Sequence, residues 1–219
     1  MGFLMLVFLS FCYVSFGPTT ASAYVYDVTS FGAIGDGMKD DTKAFLQAWN
    51  SLCNDKSPYP TLHIPPGKTF LISPVAFNGP CKYSSVYIML YGNITAPKTP
   101  GGWENCISKR FWIEFSMVQS LTINGPGQFD GQGRIWWGNK ALSEKCDRPT
   151  ALHFHACNGL RLNGTTHINS PFLHISIVNC VDVNIGNLQI RAPGDSPNTD
   201  GIDLSASSRI NIYDSNIQT

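Results

Sequence analysis

The first 23 residues lack any lysine, arginine, aspartate or glutamate. Within them residues 3–16 form an almost unbroken apolar run, followed by Gly17, Pro18 and the small triplet Ala21-Ser22-Ala23. The run is too short to cross a bilayer comfortably, and an uncharged apolar stretch closed by small residues has the composition of a secretory signal peptide. Residues 1–23 are therefore expected to be a leader cleaved before Tyr24, leaving one domain over residues 24–219. A buried N-terminal helix would need a polar face, and the run has none.

Net charge is also absent, since 15 basic residues stand against 15 acidic ones. That balance gives no basic footprint for nucleic acid and no polybasic patch for a membrane surface, so neither partner is expected once the leader is gone. No cysteine pair is a CxxC and the five histidines lack metal-ligand spacing. No metal and no other cofactor is expected. Of the seven cysteines, Cys12 leaves with the leader. Cys53, Cys81, Cys106, Cys146, Cys157 and Cys180 remain, an even number that permits three disulfides in a secreted chain. Asn93-Ile94-Thr95 and Asn163-Gly164-Thr165 are N-glycosylation sequons, which predict two exposed asparagines.

What is present is a repeat. From a first inward position, apolar residues recur at offsets 2, 8, 10 and 15 or 16: Ile113, Phe115, Leu121, Ile123 and Phe129, then Leu152, Phe154, Leu160, Leu162 and Ile168. Ile175, Ile177, Val183, Ile185 and Ile190 make a third copy, and Ile202, Leu204, Ile210, Ile212 and Ile217 a fourth. Each copy reads as three short strands with every second residue inward. Copies begin 39, 23 and 27 residues apart. Such intervals suit the turns of an all-β, parallel β-helix, the longest carrying a loop within 125–149. At offset 5 stand Val118, Cys157, Cys180 and Ser207, small or apolar corner residues; Cys157 and Cys180 could be neighbouring thiols or a disulfide. Leu62, Ile64, Phe70, Ile72, Val86, Ile88, Leu90 and Ile94 suggest less regular coils upstream. An antiparallel sandwich would also alternate, but its tight hairpin signals do not recur between the strands.

Solenoids need covered ends. Asp40 or Asp41 can cap a helix whose Phe45, Trp49 and Leu52 share a face, and that helix is expected to close the first coil. On the other side, Glu114, His153, Ser176 and Asp203 share offset 1 and should stand in an outward row, a floor for a sugar chain or a solvated ladder.

A series of short motifs then carries a resemblance. Asp27-Val28-Thr29-Ser30-Phe31-Gly32-Ala33, Gly35-Asp36-Gly37, Asp40-Asp41-Thr42, Ile64-Pro65-Pro66-Gly67 and Gly79-Pro80-Cys81-Lys82 are followed by Asp130-Gly131-Gln132-Gly133 and Trp136-Trp137. Arg148-Pro149-Thr150, Asn169-Ser170-Pro171 and Ser196-Pro197-Asn198-Thr199-Asp200-Gly201 complete the order. Each is weak alone; together they resemble plant polygalacturonases of glycoside hydrolase family 28, from about Tyr24 to Thr219. The resemblance implies a right-handed parallel β-helix, incomplete at its C-terminal end, that hydrolyses α-1,4 bonds of polygalacturonate with inversion and without metal. It implies secretion to the extracellular space or cell wall, a monomer, and pectin as partner.

Family members bring together one aspartate from Asn-Thr-Asp and two from a Gly-Asp-Asp one coil later, with Gly-His-Gly and Arg-x-Lys beyond. Here Asn198-Thr199-Asp200 matches the first, and the others are absent. By this resemblance Asp200 is a water-activating base; Asn198 of the same motif, and Asp203 and His153 from the outward row, are the substrate-binding candidates. Many members carry histidine where this chain has Asp203. An inverting hydrolase needs a protonated carboxyl and a carboxylate base together, and one aspartate cannot be both. The chain alone is therefore expected to be truncated and inactive. The alternative is a secreted, non-catalytic pectin-binding protein or decoy. A calcium-dependent lyase would want a carboxylate cluster around Asp200, and the sequence has none there.

Overall fold

Alternation of apolar and polar residues becomes strand wherever the apolar member can face a column of its equivalents in neighbouring coils. The computed structural model describes residues 24–103, 110–139 and 146–219; the expected leader lies outside them. Among the described residues are nineteen strands in three parallel sheets. The first sheet runs β1 (Val25–Asp27), β3 (Thr61–Ile64), β6 (Tyr87–Leu90), β9 (Thr122–Asn124), β12 (Arg161–Asn163), β15 (Val181–Gly186) and β18 (Ser208–Tyr213). The second runs β2 (Asp36–Asp40), β4 (Thr69–Leu71), β7 (Asn93–Thr95), β10 (Gln128–Asp130), β13 (Thr166–Ile168), β16 (Gln189–Arg191) and β19 (Asn216–Gln218). The third holds β5 (Val75–Asn78), β8 (Phe111–Ser116), β11 (Thr150–His155), β14 (Ile175–Val178) and β17 (Ile202–Ser205). From β3 onward the chain visits the three sheets in turn, and each strand pairs in parallel with its equivalent one coil away. This is the parallel β-helix the repeat implies, right-handed as the resemblance implies.

Register places Leu152 against Ile175 and Ile175 against Ile202, so the three expected to share a column do. Beside them Phe77, Phe115 and Phe154 stack with centroids 5.2 and 5.5 Å apart. Such pairs add about 0.5–1.5 kcal/mol each beyond their buried area. Val118, Cys157 and Cys180 are fully buried at successive corners. Cys157 and Cys180 are free thiols rather than a disulfide, and burial pushes the Cys157 thiol up to about 12. Just before each corner residue the backbone turns left-handed, at Met117, Ala156, Asn179 and Ala206, with φ between 47° and 57°.

One expected inward position is corrected. In β13 it is His167, not Ile168, that pairs with Phe129 and Ile190 in the interior column. The imidazole stacks on Phe129 at 5.1 Å and bonds the buried Thr165 hydroxyl at 2.8 Å. Because Thr165 supplies that bond, a polar ring can occupy an apolar column, and Ile168 turns outward. Burial pushes the His167 pKa down to about 3.

The α-helix α1 (Thr42–Cys53) buries Phe45, Trp49 and Leu52 against the first coils. Asp41 stands at the N-cap without a side-chain cap bond, its carboxylate turning back to accept from the amides of Ile34 and Gly35, while the preceding Asp40 accepts from the Thr42 amide at 2.8 Å. A disulfide joins Cys53 at the helix end to Cys81, and Cys146 is also disulfide-bonded.

The two sequons differ. Asn93 is exposed on β7. Asn163 lies within an amide ladder, donating to Asn124 at 3.2 Å and accepting from Asn187 at 2.9 Å. The expectation of two freely exposed asparagines is corrected at Asn163, which is half-buried and bonded on both sides.

Candidate active site on the third sheet

The outer face of the third sheet carries the expected row. Glu114 pairs with His153, His153 with Ser176, and Ser176 with Asp203, so the four outward positions stand in register, each about 4.8 Å from the next. Parity alone does not expose them. Asp203 is exposed, Glu114 is half-buried, and His153 is only 6% exposed. Its imidazole lies face to face with Phe111 at 3.7 Å and 1°. Burial, and then the neighbouring His155, push its pKa down to about 4, so the ring is neutral at ordinary pH. Its Nδ1 is buried and meets no partner among the described residues.

Asp200 and Asn198 lie apart from His153, in the turn that enters β17. They line a cavity of about 450 Å³ with Gly194, Ser196, Thr199, Gly201 and Thr219. Asn198 takes a left-handed backbone at φ 54°, a conformation asparagine tolerates better than most residues. Thr199 is buried, with its hydroxyl 2.7 Å from that of Ser196, while the Asp200 side chain is exposed to the cavity. Asp203 lies three residues further along the strand, on the row between the two groups. His153 lines a second cavity, of about 520 Å³, with Phe111, Arg148, Phe172 and others.

The backbone beneath Asp200 is tied down by His174, a residue the motifs did not single out. The His174 amide donates to the Asp200 carbonyl at 2.9 Å. Its buried ring meets the carbonyls of Thr199 and Asp200 at Nδ1, 3.0 and 3.4 Å away, and both the Ser170 amide and the Arg191 carbonyl at Nε2, 3.4 and 3.3 Å away. Burial lowers the His174 pKa, which favours the neutral ring. The signal for it was weak: a histidine directly before Ile175, outside every motif.

The short motifs become legible as contacts. Arg148 donates from Nη1 to the Pro197 carbonyl at 2.7 Å while its guanidinium lies 5.3 Å over the Phe172 ring, which joins the Arg148-Pro149-Thr150 segment to the Asp200 turn. Gly133 lies so close to Ser170 that a Cβ would meet its carbonyl oxygen at 2.4 Å, which explains glycine there. Chemically, the face offers an exposed carboxylate on a fixed backbone, a row of polar groups at sheet spacing, and an aromatic pocket along the same row.

Residues 53–219 match the family model described as Glycosyl hydrolases family 28. The chain is 44% identical over 198 residues to a probable polygalacturonase of Arabidopsis thaliana, covering 90% of this chain and 41% of that protein. It is 37% identical to polygalacturonase-2 of Solanum lycopersicum, over 89% of this chain and 42% of that one. It thus spans less than half the length of these relatives. A hyperthermoactive exopolygalacturonase from Thermotoga maritima has the same fold, with a TM-score of 0.70 at 23% identity over 87% of this chain and 52% of the other.

Proposed function

Because the chain belongs to glycosyl hydrolases family 28, we propose that it serves in a polygalacturonase that hydrolyses the α-1,4 galacturonosyl bonds of pectin in the cell wall, with inversion. The observation that carries this reading is the placement of Asp200, an exposed carboxylate in the turn that enters β17, in a cavity and on a backbone held by His174. Asp200 is the base that removes a proton from the attacking water. Asn198 beside it and Asp203 and His153 along the row bind the polymer.

Inversion needs an acid carboxyl about 6.5–9.5 Å from the base, leaving room for water. Asp200 is the one acidic side chain among the described residues that line its cavity. The further carboxyls would stand on a coil stacked against β17, one strand spacing of about 4.8 Å away. Without them the chain binds pectin but does not cut it. Two disulfide-bonded sites, at Cys53–Cys81 and at Cys146, support an oxidising, extracellular setting.

Reducing-end release from polygalacturonate tests the assignment, measured on this chain, on a form extended by the coils its relatives possess, and on that form with Asp200→Asn. The extended form is expected to turn over, and Asp200→Asn to lower the rate by about 10²–10⁴-fold with binding retained. Unchanged turnover by Asp200→Asn rejects the role of Asp200. Binding without turnover by every form supports the non-catalytic pectin-binding reading instead.

A further inference from the structure

The first sheet carries a strip of different chemistry on its outer face. Tyr59, Tyr83 and Tyr87 cluster there edge to face, Tyr59 meeting the other two rings at 5.6 and 5.8 Å. Tyr59 is 52% exposed, and Tyr83 and Tyr87 are half-buried. Rings left open to water in a cluster and rimmed by polar groups have the character of a binding surface. The cluster is fixed from beneath. Tyr59 takes a left-handed backbone, φ 57°, between Pro58 and Pro60, and its carbonyl accepts from the buried Thr61 hydroxyl at 3.0 Å. Such a backbone is uncommon for a bulky residue and persists only where its surroundings hold it. The Tyr83 loop is tied to the end of α1 by the Cys53–Cys81 disulfide and by the Lys82 amide, which donates to the Cys53 carbonyl at 2.8 Å. Rings held in place before a ligand arrives cost less to order on binding.

Register extends the strip along the axis. Tyr87 pairs with Thr122 and Thr122 with Arg161, so an exposed guanidinium stands two strand steps, about 10 Å, from the rings. Asn184 and Asn211 continue the row beyond it. Lys82, directly before Tyr83, and Lys56, three residues before Tyr59, add exposed cations at the aromatic end. Asp55, the acidic residue of the first loop, has its carboxylate taken up by the Tyr26 hydroxyl and the Ser57 amide. A pyranose presents a C–H face that packs on an aromatic ring and hydroxyls at its edge that suit a threonine or an amide. A uronate adds a carboxylate, which a guanidinium or ammonium binds strongly. A neutral glycan would use the rings and leave the cations idle, whereas a repeating acidic chain uses both.

We propose that this strip is a second, non-catalytic binding site for an acidic polysaccharide, whose sugar faces stack on Tyr59, Tyr83 and Tyr87 and whose carboxylates meet Lys82 and Arg161. The proposal rests on the pectin reading above for the identity of the polymer and adds to it a second place of attachment. The strip stands on the first sheet and the Asp200 row on the third, so a chain held here leaves that row open.

The test is binding of this chain to polygalacturonate, measured by affinity electrophoresis in gels that hold the polymer, with a neutral galactan in parallel. Tyr59→Ser combined with Tyr83→Ser should weaken binding to the acidic polymer at least about fivefold, the effect of losing one dominant contact residue. Arg161→Glu, at an exposed strand start that should fold normally, should weaken it comparably and Arg161→Lys much less. Salt should narrow the gap between Arg161→Glu and the unaltered chain. Urea midpoints equal to that of the unaltered chain show that the variants are folded, and Arg161→Glu carries the test if the loss of two rings disturbs the loops. Unchanged affinity in Arg161→Glu, or in a folded tyrosine pair, overturns the second site while leaving the pectin reading intact. Galactan binding as tight as that of polygalacturonate overturns the acidic assignment. No binding of polygalacturonate by the unaltered chain overturns the pectin reading and the strip with it.

Discussion

Ile177, Ile185 and Ile190 are completely buried, while Leu204, Ile212 and Ile217, which continue the same three columns one coil later, are 43%, 41% and 45% exposed. The residues are of one type and face the same interior. What differs is that, among the described residues, the earlier coil is flanked by coils on both sides and the later one on one side. Burial in this fold thus comes from the next coil along the axis more than from a residue's own coil. At the opposite end α1 performs the covering, and Phe45, Trp49 and Leu52 are at most 1% exposed. The Asp200 turn is held by contacts to the preceding coil, from the His174 amide to the Asp200 carbonyl and from the His174 ring to the Thr199 carbonyl.

The largest expected effect would break this comparison directly. Ile177→Ala should cost about 2–5 kcal/mol through a lost apolar contact and a cavity, whereas Leu204→Ala, already open to water, should cost less than about 1 kcal/mol. Urea denaturation of the two variants measures both. Equal losses would mean that the last column position is covered in solution.

A smaller effect concerns the polar ring that the covered coils enclose. His167 is neutral when folded because its pKa is pushed down to about 3, while the unfolded chain's histidine protonates near 6.5. The unfolded state therefore binds more protons between those values. Stability contributed by the neutral ring is complete above about pH 6.5 and falls as pH drops toward 3. His167→Phe should flatten that part of the curve of urea midpoint against pH. A slope that the substitution leaves unaltered would place the acid sensitivity elsewhere.

The smallest effect sharpens the comparison on the outer surface. Asn163 bonds both ladder neighbours and Asn187 bonds Asn163. Asn163→Ala should cost about 0.5–1.5 kcal/mol, and Asn187→Ala less. Expressed in a glycosylating host, the protein should carry its glycan at Asn93, which intact-mass measurement before and after enzymatic deglycosylation checks. Full occupancy of Asn163 with the ladder variants equal in stability would contradict the axial argument.

Much of the architecture is legible in the order of the amino acids. Ile113 and Phe115, Leu152 and Phe154, and Ile175 and Ile177 announce inward faces by alternation, and their offsets announce coils. The row from Glu114 to Asp203 follows from the same parity. His167 is not legible, because in a three-residue strand hydrophobicity favours Ile168. The number of residues in the preceding corner decides the parity. The left-handed corners are hidden as well, since Met117 and Ala156 stand where a glycine would have marked the turn. Separation of His153 from Asp200 into two cavities has no local signature, because the Arg148 segment and Phe172 that shape the wall come from loops outside the repeat.

By itself, the sequence determined the repeating columns, the helix that covers the first coil, and the outward register of Glu114, His153, Ser176 and Asp203, because each follows from local periodicity. Tertiary structure alone decided that Phe111 buries His153, that His174 anchors the Asp200 turn, and that His167 rather than Ile168 faces inward. Those outcomes depend on contacts between coils and loops distant in the chain, whose geometry no local pattern encodes.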